Sequence, residues 1–254
     1  MNNKSLETSE TQVKLVVLWT APRCVSTAFE KAFSQRPDTA TLHEPFQDIY
    51  YCSQWRRSDR MGNYEKHLDY GTNHVIERIQ SQSLPVVFMK EMAYHALPYI
   101  DREFMNQPLV NTFLVRNPKK SLLSWYKLNE FPTEEEFGFN GLKELWQFVT
   151  EKLNQKPIVV EADRLQSAPE KTLRAYCQAV GIAFVPEMLN WNEGRIKQEN
   201  SHKEEIHSRW HQTLVNSMGI LPPTEASGEI RSEDIPMFQR AMKTYEEISQ
   251  FAIK

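Results

Sequence analysis

The sequence predicts an α/β fold, a single domain in which a central parallel sheet is flanked by helices. Three observations carry that prediction. Short apolar runs alternate with segments of helical periodicity along the chain. The first run, residues 15–19 (LVVLW), is apolar throughout, as a strand covered on both faces must be. Arg23, Glu44, Lys90 and Arg116 follow or close these runs, and ligands of such sheets bind beyond the carboxyl ends of the strands. A chain of 254 residues, 40% hydrophobic and 11% aromatic, is near the upper size for one core and has the apolar surface to build it.

Taken in order, residues 1–12 (MNNKSLETSETQ) are polar and predict a disordered lead-in, which places the domain at 13–254. Strands are expected at 14–19, 39–42, 86–89, 110–115 and 157–160. Helices are expected at 25–36, where Ala28, Phe29, Ala32 and Phe33 share a face, and at 64–81, 118–129, 141–154 and 169–181. Residues 134–141 and 221–228 read as loops. A final helix over 233–252 carries Met237, Phe238, Ala241, Met242, Tyr245 and Ile248 at core-facing spacing. No internal repeat and no linker divides the chain.

Several function classes are excluded. A net charge of −3 gives no global attraction to nucleic acid. No apolar run reaches the length needed to cross a membrane, and the N-terminal segment has no signal-peptide core. The three cysteines, Cys24, Cys52 and Cys177, are unpatterned, which suits a reducing cytoplasm. No ligand spacing proposes a metal.

The turn between the first strand and helix, residues 22–27 (PRCVST), is an anion-binding candidate. A helix N-terminus offers unpaired N–H groups and a positive dipole end, Ser26 and Thr27 add hydroxyls, and Arg23 adds fixed charge. It is not a Walker A loop, since it has no glycine and no Gly-Lys-Ser/Thr ending. Nor is it a cysteine-phosphatase loop: six residues beyond Cys24, where an arginine is required, stands Glu30, so Cys24 reads as a packing residue or backbone donor.

This turn resembles the Pro-Lys/Arg-Ser-Gly-Thr-Thr loop of sulfotransferases that use 3′-phosphoadenosine-5′-phosphosulfate (PAPS), with Cys24 and Val25 in place of Ser-Gly. Residues 110–126 (VNTFLVRNPKKSLLSWY) match the same family's Arg-Asp/Asn-Pro pattern with a serine eight residues after the arginine. Residues 158–184 resemble its strand, Tyr-Glu-Asp-Leu turn and Leu-Arg helix, with Ala162 at the tyrosine position. Residues 201–211, ending Ser208-Arg209-Trp210-His211, are similar to the segment of its nucleotide lid. Together the matches span roughly 13–212 in the family's order.

The resemblance implies a P-loop-like sulfotransferase fold and a cytoplasmic enzyme of secondary metabolism. The reaction it implies is transfer of a sulfuryl group from PAPS to a hydroxyl or amino group of a small metabolite, as in the tailoring of an alkaloid. It implies that Arg116 and Ser124 hold the 3′-phosphate, that Arg23, Ser26, Thr27 and the amides of Cys24, Val25 and Ala28 cradle the 5′-phosphate, and that Lys203 and Trp210 belong to the lid. Arg23 and Lys90 face the transferred group, and no metal is needed, because positioning and positive charge suffice for an in-line displacement. Many cytosolic relatives place a histidine base where Met92 stands here. Glu44, at a spacing of 21 residues from Arg23, matches the glutamate base of tyrosylprotein-type members; Glu91, His95 and His43 are the alternatives. Aromatics and histidines in 46–74 and 129–146 are expected to form the acceptor pocket. The competing reading is a P-loop nucleotide-binding or kinase-like protein of the same superfold without sulfuryl transfer.

Overall fold

Each of the five apolar runs forms a strand. A computed structural model describes residues 13–62, 65–100, 102–105, 107–194, 212–225 and 227–254. The expected lead-in at 1–12 and the lid candidates Lys203 and Trp210 lie outside them. The strands are β1 (Lys14–Thr20), β2 (Thr39–His43), β3 (Val86–Met92), β4 (Leu109–Val115) and β5 (Ile158–Glu161). They make one parallel sheet in the order β2-β3-β1-β4-β5, with Leu18 between Lys90 and Thr112. Side chains from residue 16 to residue 19 of β1 are fully buried, which explains why that run carries no polar alternation.

Helices cover both faces. Helix α1 (Ser26–Phe33) lays Phe29 and Phe33 against Phe88 of β3, with ring centroids 4.0 Å apart for Phe33 and Phe88. Tyr176 meets both phenylalanine rings of α1 edge-on. On the opposite face Phe113 of β4 meets Trp146, 5.3 Å between centroids, and Trp19 Nε1 donates to Asn111 Oδ1 at 2.8 Å. The remaining helices are α2 (Pro45–Cys52), α3 (Thr72–Gln80), α4 (Ala93–Ala96), α5 (Arg102–Met105), α6 (Pro118–Tyr126), α7 (Glu134–Phe137), α8 (Phe139–Gln147), α9 (Ala162–Ser167), α10 (Pro169–Val180), α11 (Gln212–Val215) and α12 (Ile235–Ser249).

Several boundaries differ from the sequence expectation. The helix expected over 64–81 begins only at Thr72, because the amide of His67 donates to Cys52 O and a bridge to Ser53 holds that stretch extended. Residues 134–141, expected as a loop, hold α7, whose N-terminus is a full capping box between Thr133 and Glu136. The helix expected over 141–154 is α8 followed by a π-turn (Phe148–Lys152) closed by Leu153 N–H to Phe148 O. Residues 45–52, for which no helix is expected, form α2, which Pro45 can begin without losing a needed donor.

Connectivity positions the site. From β1 the chain runs to one edge of the sheet and from β4 to the other, so a crevice opens between the carboxyl ends of these two neighbours. Arg23 follows β1 and Arg116 follows β4.

Candidate active site

A cavity of about 530 Å³ runs across the carboxyl ends of all five strands. It is bounded by Glu44 after β2, Met92 and His95 at the end of β3, Arg23 after β1, Arg116 after β4, and Gln166 after β5.

Its centre is cationic. The turn after β1 holds Arg23 at φ 62° and Val25 at φ 69°, left-handed conformations for two non-glycine residues, and Val25 caps α1 with no side-chain bond to the first amides. The α1 N-terminus is therefore open on the cavity side, where Ser26 and Thr27 line it. Arg23 Nε donates to Ser124 Oγ at 2.9 Å, and Arg116 donates from Nη1 to the carbonyl of Arg23 at 2.9 Å, so α6 and the β4 end brace the turn. Arg116 pairs with no carboxylate among the described residues, and its Nε has no partner. Burial, reinforced by the charge of Arg116, pushes the Arg23 guanidinium down to about 10. Two guanidiniums braced side by side in this way favour an anion between them.

Cys24 is buried with Sγ 3.7 Å from Ser121 Oγ, and burial raises its thiol, so it is a packing residue. Val25, Ala28, Lys120 and Trp125 also line the cavity, and Lys120 is bound to Asp163 of α9 at 2.6 Å.

Beside the cations, under the ends of β2 and β3, lies a buried chain of ionisable groups. Glu30 Oε2 is 2.6 Å from His43 Nδ1 and 3.8 Å from Lys90 Nζ. Lys90 in turn bonds Glu44 Oε1, and Glu44 Oε2 is 3.6 Å from His95 Nδ1. His95 Nδ1 is also 3.2 Å from Glu91 Oε1. Glu44 itself stands at φ 41°, held by its N–H bond to Lys90 O. Glu44 and His95 line the cavity, whereas Lys90, Glu91 and His43 do not. Lys90 therefore touches the site through Glu44. Burial raises the Glu91 carboxyl, although the facing His95 works against the shift.

Glu44, Glu91 and His95 bring ligand-type atoms within 4.8 Å of one another, as a cation site would. Their lone pairs are already engaged: Glu44 bonds the Lys90 ammonium, and the amides of Phe46 and Met92 donate to the two Glu91 oxygens at 2.7 and 2.9 Å. The donor set fits a proton-handling cluster better than a metal.

The wall nearest Glu44 comes from Gln47 and Tyr51 of α2, Arg60, Met61, Met92 and Tyr94. Tyr51 and Tyr94 share a 3.0 Å hydroxyl contact, and burial raises both phenols, so they stay neutral. Arg60 is neutralised by Glu130 at 2.8 Å and Glu136 at 2.6 Å. Segment 46–74 thus contributes to the cavity as expected, but 129–146 does not: Glu130 and Glu136 reach it only through Arg60. His67 and His74 stack on Tyr70 away from the cavity. His95, an alternative base in the sequence, and Tyr51, within the expected pocket segment, both line the cavity, whereas Tyr94 and Gln166 join it without having been singled out by any sequence signal.

Fold and site define an α/β protein with a cationic crevice at a strand-end turn. The family described as the sulfotransferase domain matches residues 14–252, and the chain belongs to that family. It is similar to branched-chain-amino-acid aminotransferase-like protein 1 of Arabidopsis thaliana, 27% identical over 229 residues, covering 89% of this chain and 40% of that protein. Branched-chain-amino-acid aminotransferase-like protein 2 of the same plant is 26% identical over 213 residues, covering 83% and 37%. The chain thus spans about two fifths of the length of these curated relatives. In fold it is similar to the sulfotransferase domain of the Synechococcus PCC 7002 olefin synthase, with a TM-score of 0.55 at 14% identity over 89% of this chain and 93% of that one. Among the described residues no helix is long and apolar enough to cross a membrane.

Proposed function

We propose that this chain is a sulfotransferase that takes its sulfuryl group from PAPS and delivers it to a hydroxyl, or an amino group, of a small metabolite in the cytoplasm. The observation that carries this reading is the placement of Arg23, Arg116 and Ser124 at the β1/β4 crevice with Glu44 on the same cavity wall. The residues present fit such a nucleotide: among the described residues Arg116 Nε lacks a partner, the first turn of α1 has no side-chain cap, and the Ser26 and Thr27 hydroxyls make no side-chain bond.

In this reading Arg116 and Ser124 hold the 3′-phosphate. Arg23 and the amides from Cys24 to Ala28 hold the 5′-phosphate, where charge grows as the sulfuryl group departs. PAPS supplies an activated sulfuryl group whose leaving phosphate is an anion this turn can hold. Glu44 is an acceptor-only carboxylate on the cavity wall, so it can take the proton of the attacking hydroxyl. Lys90 orients Glu44 from beneath, while His95, whose buried Nε2 has no partner, stands where it can bond the same substrate. Neutral Tyr51, Tyr94 and Met92 beside Glu44 favour an uncharged, partly apolar acceptor.

The test is transfer of labelled sulfate from PAPS to a panel of phenols, aliphatic alcohols and amines, together with thermal stabilisation by adenosine 3′,5′-bisphosphate against ATP with magnesium. Stabilisation by ATP alone, with no transfer to any acceptor, would replace this reading with that of a nucleotide-binding relative.

A further inference from the structure

We propose that Gln166 reads the base of the donor nucleotide, its amide oxygen accepting a hydrogen bond from the exocyclic amine of adenine. The inference rests on the donor assigned above. Gln166 sits on α9, directly after β5, at the end of the cavity opposite Glu44. With the phosphates on Arg23 and Arg116 at the centre and the reacting group toward Glu44, the remaining end is the one open to the base.

The orientation of the Gln166 amide is set by its partners. Nε2 donates to Leu221 O at 2.9 Å and to Pro222 O at 3.4 Å. Backbone carbonyls only accept, so the nitrogen must face them and the oxygen must face away. That oxygen is shut off from water and has no partner. A buried acceptor left unmatched is costly, and a ligand N–H₂ that reaches it recovers the loss. Leu221 and Pro222, held by the same amide, also line the cavity, and Leu214 joins them, giving an apolar slot of the kind a planar base fills. The contact forms as the base seats against these residues. A purine with a carbonyl in place of the amine would set acceptor against acceptor.

The experiment is calorimetric titration of the full chain with adenosine 3′,5′-bisphosphate and inosine 3′,5′-bisphosphate, which differ in that one group. The wild type should prefer the adenosine form by about tenfold or more, the scale on which a site built for a hydrogen bond rejects an analogue lacking it. In Gln166→Met, which keeps the length of the side chain, and in Gln166→Ala, that preference should shrink to about twofold or less, because only the adenosine form loses its bond. Equal weakening of both nucleotides would mean that Gln166 merely anchors Leu221 and Pro222, and would overturn the proposal. So would a wild type that does not discriminate. If the wild type binds neither nucleotide, the donor assignment itself fails, a result distinct from binding with an unchanged preference.

Discussion

Arg116 has two tasks that a single substitution can separate. Its bond to the carbonyl of Arg23 braces the turn, while its unpartnered Nε is proposed to meet the 3′-phosphate. Arg116→Ala should weaken adenosine 3′,5′-bisphosphate by roughly 2 kcal/mol, the scale of a lost charged hydrogen bond, and adenosine 5′-phosphate by much less. Equal loss for both in calorimetry would leave only the bracing task. Arg23→Ala should lower turnover by about a hundredfold or more at saturating donor, as removal of an electrostatic stabiliser does, and Arg23→Lys should restore part of it. For Glu44→Gln the expectation is normal nucleotide binding with turnover down roughly a hundredfold to ten-thousandfold. Parallel kinetics on His95→Asn decide between the two cavity-facing candidates: an active Glu44→Gln beside an inactive His95→Asn would move the base to His95.

At the level of elements, the wall around the acceptor end is held by ion pairs between distant segments. Arg60 joins the loop after α2 to Glu130 and to Glu136 of α7, and Arg57 reaches Glu135. The Arg60 and Glu136 side chains are 18% and 4% exposed, so removing the cation strands a nearly buried carboxylate. Arg60→Ala should cost about 3 kcal/mol in urea unfolding, the usual range for breaking a buried pair, and should raise the acceptor KM more than the donor KM. Helix α7, in a stretch expected as a loop, carries a local signal: Thr133 and Glu136 form the Ser/Thr-x-x-Glu capping signature. The late start of α3 had no such local signal, because a bridge between Ser53 and His67 keeps the preceding residues extended.

Across the whole molecule, the buried ionisable chain ties stability to pH. Burial raises Glu91 above its ordinary 4.5, so between that value and the raised one the native state holds more protons than the unfolded state. The contribution of Glu91 to stability therefore falls as pH rises through that window. Glu91→Gln should flatten this part of the stability profile, measured by denaturant unfolding from pH 4 to pH 8 (about the range in which native and unfolded carboxyls part). A profile with the same slope in wild type and variant would place the coupling elsewhere in the cluster.

The sequence by itself determined the five strands, their parallel character and the positions of Arg23, Arg116, Ser124 and Glu44. Each of these lies directly after a strand or inside a local strand-turn-helix pattern, where spacing along the chain equals placement in space. Only the tertiary structure decided that Lys90 is engaged beneath Glu44 rather than open to the cavity, that His95 and Gln166 join the wall, and that 129–146 stays out of it. These facts depend on strand order and on pairs such as Arg60 with Glu136, 76 residues apart, whose meeting no local periodicity encodes. A strand end can be read from its own residues, but the side chains facing it come from wherever the sheet order brings the other four ends.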